Sequence, residues 1–139
     1  MPESETHARL VRMVIAFAER ELGVLAEIAV RDDAVRPMRG ERPPRIEGYT
    51  PDVHAVDVPT TRTLVGEAKT RIDLETDRSR QQISAFLRYL AQTPSGLFVL
   101  AVPLPAGATA RRLLAGLNAP FANSVTRVVV LDGYALSLG

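Results

Sequence analysis

The chain has 139 residues, of which 46% are hydrophobic and 24% are charged, and its formal net charge is +1. These values are typical of one globular domain and exclude global disorder and a strongly basic coat for nucleic acid. There is no cysteine and there are only two histidines, which excludes disulfides, thiolate metal sites and a His-rich metal site.

Hydrophobic periodicity and turn residues predict helices, strands and one hairpin. In chain order they are a helix over 4–22, capped by Ser4 and ended by Gly23, a strand over 24–30, a hairpin with strands at 51–58 and 62–70, a helix over 73–92, a strand over 96–103, a helix over 106–117 and a strand over 125–131. The Arg- and Pro-rich segment 31–48 predicts an exposed loop. This order predicts an α/β fold with a mixed central β-sheet, buried strands at 96–103 and 125–131, and helices on both faces.

Charged residues converge at one end of the predicted hairpin. Glu67 and Lys69, the only lysine in the chain, share one face of the second strand because side chains alternate along a strand. The hairpin places Asp52 across from Glu67 or Lys69. Adjacent carboxylates repel unless a cation lies between them, so Asp52, Glu67 and the Ala68 carbonyl are predicted to hold Mg²⁺ or Mn²⁺. Lys69 would then assist the attacking water or stabilise charge on a phosphate.

The pair Pro51-Asp52 and the run Glu67-Ala68-Lys69, followed by a long helix with Gln82, resemble the PD-(D/E)XK nuclease superfamily. The resemblance covers about residues 4–103. It implies a restriction-endonuclease-like αβββαβ core, with 104–139 as an added helix and strand within a single domain, 1–139. It further implies a metal-dependent nuclease that hydrolyses phosphodiester bonds of DNA with Mg²⁺ or Mn²⁺ as its cofactor.

The same resemblance implies roles for individual residues. Asp52 and Glu67 would be metal ligands and Lys69 the catalytic lysine. Gln82 on the following helix would assist, with Gln81 as the second choice. Superfamily members that use this glutamine also use an acidic residue on the first helix.

The acid on the first helix is left open between Glu5 and Glu19. Asp57 lies on the opposite strand face from the predicted ligand and is expected to be a surface charge at the end of the hairpin. His54 is expected to be partly buried and satisfied in its strand, and His7 to lie on the surface of the first helix.

Several arginines are candidate contacts for DNA phosphates, namely Arg42, Arg45, Arg71 and Arg78. The alternative for Arg78, together with Arg80, is a solvated helix face. A homodimer with two sites is a reasonable hypothesis, and the alternative function is a catalytically inactive module for nucleic-acid binding or assembly. The acidic N-terminal segment has no signal-peptide hydrophobic region, and no apolar run reaches about 18 residues, so we expect a cytoplasmic location.

Overall fold

The computed structural model of the chain describes residues 5–23, 28–32, 42–57, 61–124 and 126–133. Its elements are α1 (Glu5–Leu22), β1 (Ile28–Asp32), β2 (Val53–Asp57), β3 (Thr63–Ala68), α2 (Arg71–Leu74), α3 (Asp77–Leu90), β4 (Gly96–Ala101), α4 (Gly107–Asn118) and β5 (Arg127–Leu131), with 3₁₀ turns at Leu104–Ala106 and Ala119–Phe121. Several predicted positions lie outside the described residues, namely the cap Ser4, positions 24–27 of the first strand, 33–41 of the loop, 58–60 of the hairpin and 125 of the last strand. Within the described ranges, no helix has the length and apolar character needed to cross a membrane.

The five strands form one mixed sheet in the order β1-β2-β3-β4-β5. The first three strands pair antiparallel, and β3, β4 and β5 run parallel. One face is covered by α1, whose stripe includes Val14, and the other by α3 and α4, which contribute Phe86 and Leu114 to a separate core. This confirms the predicted α/β class with a mixed sheet and helices on both faces.

A glycine brings α1 close to the sheet beside the predicted site. Gly66 lies in β3 directly before Glu67, and a Cβ atom at this position would collide with the side chain of Val14 in α1. Only a residue without a side chain permits this approach. The contact seats the middle of α1 on β3, so that the N-terminal turns of α1 reach the same end of the sheet as Asp52.

The helix predicted over 73–92 is two helices instead of one. The chain leaves helical geometry after Leu74 and restarts at Asp77. Thr76 caps α3, because its side-chain oxygen accepts the N–H of Ser79 while its hydroxyl donates to the carbonyl of Asp73. The prediction of one continuous helix was therefore wrong at this threonine, whose capping hydrogen bonds interrupt the helix.

The last strand is less buried than predicted. It spans Arg127–Leu131 and forms the end of the described sheet next to β4. Only Leu131 in this strand is fully buried, whereas all six residues of β4 are buried. The apolar run was correctly predicted as a strand, but its place at the sheet edge leaves it half covered.

Asp57 is buried, and its prediction as a surface charge was wrong. Its exposed fraction is 4%, and its carboxylate accepts hydrogen bonds from the backbone N–H and side chain of Thr61 and from the backbone N–H and Nε of Arg62. These bonds, led by the backbone N–H of Arg62, lower the pKa of Asp57 to about 2. Arg62 also donates to the carbonyls of Glu21 and Leu22, so Asp57 helps to tie the hairpin to the end of α1.

Asp57→Asn is expected to lower the free energy of unfolding by about 2 kcal/mol near neutral pH, because the charged acceptor of several buried hydrogen bonds is lost. The folded pKa lies below the ordinary value of 3.8, so the contribution of Asp57 is complete above that pH and is lost as pH falls toward 2. Urea unfolding at a series of pH values measures both effects. Glu75→Gln, at an exposed carboxylate, is the matched control. Equal stability of the Asp57 variant and the wild type would contradict this role.

Candidate active site

The two predicted carboxylates meet where β2 begins and β3 ends. The antiparallel register pairs Val53 with Gly66, which sets Asp52 beside Glu67. The backbone N–H of Asp52 donates to Oε1 of Glu67 at 2.9 Å, and the backbone N–H of Ala68 donates to Oδ2 of Asp52 at 2.8 Å. The reciprocal bonds hold both carboxylates in fixed orientations. Of the two partners left open by the sequence, the structure places Asp52 across from Glu67.

Lys69 lies between a carboxylate and the predicted glutamine. Its Nζ is 3.4 Å from Oε2 of Glu67 and donates to Oε1 of Gln82 at 2.7 Å. The Lys69 side chain is 14% exposed, so the ammonium is partly desolvated but open to the cleft. Gln82 reaches this position from the second turn of α3, whereas its neighbour Gln81 lines a different cleft. The structure thus brings Glu67, Lys69 and Gln82 into one contact chain.

Glu67 carries the strongest electrostatic perturbation at this end of the sheet. It is buried in β3, and this burial raises its pKa, with the negative charge of Asp52 adding to the effect. Lys69 and the N–H of Asp52 offset only part of that rise, and the resulting pKa is about 8. A buried carboxylate beside a second carboxylate favours a cation, because positive charge stabilises the ionised form of both groups.

A histidine that was predicted to lie on the surface belongs to this site. Nε2 of His7, in the first turns of α1, is 3.3 Å from Oδ2 of Asp52, and its side chain is only 28% exposed. The prediction of a surface position was wrong, because His7 continues the buried stripe of Leu10 and Val14 toward the helix N-terminus. The helical spacing of positions 7, 10 and 14 was the signal in the sequence that could have predicted this position.

The acids considered on the first helix do not join these groups. Neither Glu5 nor Glu19 lines the cleft around Asp52. At this end of α1, His7 is the residue that contacts the aspartate.

These groups lie in a cleft of about 450 Å³. Besides the residues already named, Arg45, Tyr49, Asp73 and Arg78 contribute to its walls. The guanidinium of Arg78 lies 5.5 Å from the ring centroid of Tyr49, and Nη2 of Arg45 donates to the carbonyl of Gly48 at 2.8 Å. Arg42 and Arg71 are exposed and do not line this cleft. His54 is buried instead against Tyr89, with its Nε2 3.3 Å from the tyrosine hydroxyl.

The donor chemistry of the cleft fits a hard divalent cation. Oδ1 of Asp52 accepts no hydrogen bond from the described residues, and the Glu67 carboxylate and Ala68 lie beside it. Oxygen donors of this kind suit Mg²⁺ or Mn²⁺, and Mg²⁺ commonly keeps several waters instead of a full protein cage. Among the described residues, no group of three or more His, Asp or Glu side chains is arranged to hold a metal ion. The candidate ligands are therefore only two side chains, those of Asp52 and Glu67, together with the backbone carbonyl of Ala68.

In comparisons with known proteins, no family model, curated protein or solved structure matches this chain. Its function must therefore be inferred from the residues and the geometry of the cleft.

Proposed function

We propose that this protein is a metal-dependent nuclease of the PD-(D/E)XK type that hydrolyses phosphodiester bonds of DNA. The observation that carries the proposal is the direct contact of four predicted residues, Asp52, Glu67, Lys69 and Gln82, within one open cleft. The element order from α1 to β4, with three strands between the helices, supports the restriction-endonuclease-like core that the motif implies. In that description, α4 and β5 are the added C-terminal helix and strand.

The candidate ligands of the ion are Asp52, Glu67 and the backbone carbonyl of Ala68. When bound, Mg²⁺ or Mn²⁺ supplies Lewis acidity toward the phosphate and the attacking water. The hydrogen bonds from the backbone to both carboxylates pre-orient these ligands before the ion arrives. The chain therefore does not have to reorganise two charged side chains when it binds its cofactor.

Lys69 supplies the positive charge for the transferring phosphate. A phosphodiester gains negative charge on its oxygens during in-line attack, and a pre-positioned ammonium stabilises that charge. The amide oxygen of Gln82 accepts one N–H of Nζ at 2.7 Å, and Oε2 of Glu67 lies 3.4 Å from the same nitrogen. An ammonium has three N–H donors, so one is still available to a phosphate. Gln82 is accordingly a positioning residue for Lys69, while Lys69 touches the reacting group.

Two arginines extend the positive charge along the cleft. Arg45 and Arg78 line it, and Arg78 is pre-oriented by its packing over Tyr49. Guanidinium groups bind phosphates with paired hydrogen bonds, so we assign both arginines to the DNA backbone. Such contacts release counterions, and DNA binding should therefore weaken steeply as salt is raised.

Cleavage assays test this proposal directly. Plasmid, single-stranded, flap and four-way-junction DNA are incubated with Mg²⁺ or Mn²⁺, and Lys69→Met is purified and assayed in parallel to exclude a contaminating nuclease. We expect metal-dependent cleavage of at least one substrate by the wild type and strongly reduced cleavage by Lys69→Met. The plasmid also shows whether two copies act together, because one active site makes nicks whereas two sites acting in concert make double-strand breaks. DNA binding without cleavage of any substrate would favour the inactive binding module and overturn the proposal.

His7→Ala is expected to weaken Mn²⁺ binding about tenfold and to lower cleavage to a similar degree, because partners that orient a metal ligand typically contribute this much. The reason is the contact of Nε2 with Oδ2 of Asp52. Calorimetry measures the affinity. Arg9→Ala, at an exposed position of the same helix, is the control and should leave Mn²⁺ binding unchanged. Wild-type affinity in the His7 variant would show that the contact does not orient the aspartate.

A further inference from the structure

A second cleft adjoins the candidate active site, and Tyr49 lines both. We call it the α3 cleft, and it has a volume of about 480 Å³ and is lined by Glu47, Tyr49, Arg80, Gln81, Ser84 and Arg88. Tyr49 lines both clefts, so they are neighbours that share one wall. A volume of this size is in the range of pockets that bind small ligands or parts of larger ones.

The shared wall is a tight turn. The backbone N–H of Ile46 donates to the carbonyl of Tyr49 at 2.7 Å, and the N–H of Tyr49 donates back at 3.0 Å. The two residues between them, Glu47 and Gly48, have φ values of 52° and 86°. A two-residue turn with both central residues in the left-handed region has a defined shape. It presents Tyr49 in one position.

Side chains also clamp this turn to α3. Glu47 accepts two hydrogen bonds from Arg88, from Nε at 2.9 Å and from Nη2 at 2.6 Å. The ring of Tyr49 meets the ring of Phe86 edge-on with centroids 6.4 Å apart. Bidentate pairing and aromatic packing together fix the wall between the two clefts. The charge of Arg88 is neutralised by this pairing.

The remaining polar groups of the α3 cleft are unused within the described part of the chain. Arg80 is exposed and has no ion pair there, and neither the amide of Gln81 nor the hydroxyl of Ser84 has a hydrogen-bond partner there. One uncompensated positive charge with two neutral donors is a set that binds a phosphate group. Gln81 directly precedes Gln82 on α3. The first lines the α3 cleft and the second lines the candidate active site, so the same turn of the helix contributes to both clefts.

We propose that the α3 cleft binds the phosphate that neighbours the scissile one, so that a single nucleic-acid strand passes over Tyr49 and occupies both clefts. Arg80 carries the charge contact, and Gln81 and Ser84 donate hydrogen bonds. The inference rests on the proposed nuclease function and deepens it. It adds contacts to a second phosphate of the strand, which a substrate with only one phosphodiester cannot make.

The first test measures binding without cleavage. Fluorescence anisotropy follows a labelled single-stranded deoxyoligonucleotide of about 12 nucleotides, in the length range that such grooves accommodate, in Ca²⁺ or without metal. Arg80→Ala should weaken binding about tenfold and reduce the slope of log K against log salt by about 0.7. Arg20→Ala removes the same charge from an exposed position on α1, across the sheet, and should bind like the wild type. Unchanged binding by Arg80→Ala would overturn the proposal.

The second test separates this cleft from the active site. Bis(p-nitrophenyl) phosphate contains one phosphodiester and cannot span both clefts. Arg80→Ala should hydrolyse it as the wild type does, while its KM for the oligonucleotide rises about tenfold with kcat nearly unchanged. Equal losses on both substrates would place Arg80 in the catalytic step and overturn the α3 cleft assignment. If the wild type cleaves neither substrate, the nuclease proposal fails. The anisotropy experiment then still tests whether the α3 cleft binds a phosphate of the strand.

Discussion

Glu67→Gln is expected to abolish divalent-cation binding and DNA cleavage together. The amide keeps the volume of the buried side chain and can still accept the N–H of Asp52, which now bonds Oε1 at 2.9 Å. It lacks the negative charge that a hard cation requires, so we expect Mn²⁺ affinity to fall by at least about 100-fold and cleavage to fall below detection. Calorimetry with Mn²⁺ and plasmid cleavage measure the two losses on the same preparation.

The same substitution should stabilise the protein when metal is absent. Burial and the charge of Asp52 raise the pKa of Glu67 from 4.5 to about 8. The folded state thus holds this proton more tightly than the unfolded state, and the metal-free wild type loses stability as pH rises from about 4.5 to about 8. Glu67→Gln has no carboxyl to ionise, so it should not lose stability over this pH range. Thermal unfolding of the metal-free proteins across that pH range detects the difference.

The control for this experiment is Glu75→Gln, which removes an exposed carboxylate near α3. It should change neither the affinity for Mn²⁺ nor the pH dependence of unfolding. The assignment of Glu67 as a ligand would be contradicted by a Glu67→Gln variant that binds Mn²⁺ like the wild type. A variant that unfolds at lower temperature than the metal-free wild type at pH 8 would contradict the electrostatic account.

The hairpin of the candidate site was predictable because strands have a simple period. Alternation alone put Glu67 and Lys69 on one face, and the length of the turn segment limited Asp52 to one of two partners. The observed register pairs Val53 with Gly66 and selects Glu67. The stripe of Ile83 and neighbouring apolar residues predicted that Gln82 lies on a helix, whereas the choice of Gln82 over Gln81 came from the resemblance to the nuclease superfamily.

Contacts between distant elements were not predictable in the same way. His7 reaches Asp52 only because α1 approaches β3 at Gly66, and local patterning carries no information on where a helix crosses a sheet. The turn that presents Tyr49 lies in a segment whose composition indicated only an exposed loop. Its clamp joins Glu47 to Arg88 on α3, and a long-range ion pair of this kind leaves no periodic signal.

Buried charge was the other source of error. Asp57 has the sequence context of a surface residue at the end of a hairpin, yet it is covered by Thr61 and Arg62. Charged side chains are seldom buried unless they are paired, and sequence patterning counts them as solvent-facing. The Arg62 side chain pairs with Asp57 and also donates to carbonyls at the end of α1, so the buried carboxylate has a charged partner that is itself held in place.

Lys69→Met is expected to lower kcat for DNA cleavage by about 10²–10³ while leaving Mn²⁺ binding intact. Methionine retains most of the length of the side chain but donates no hydrogen bond, so the phosphate loses the ammonium that now lies between Glu67 and Gln82. The candidate ligands Asp52 and Glu67 keep their backbone hydrogen bonds. Cation binding should therefore persist and become somewhat tighter, because a competing positive charge is gone.

Gln82→Ala provides the graded comparison. It removes the acceptor that holds Nζ but leaves the ammonium in place, so we expect a decrease in kcat of only about tenfold and no change in Mn²⁺ affinity. Lys69→Arg keeps the charge but replaces the compact ammonium by a planar guanidinium, and it should restore little activity. Single-turnover cleavage with saturating metal separates these effects from product release. A Lys69→Met variant that cleaves at the wild-type rate would remove Lys69 from the catalytic step, and one that no longer binds Mn²⁺ would show that its role is to support the ligands.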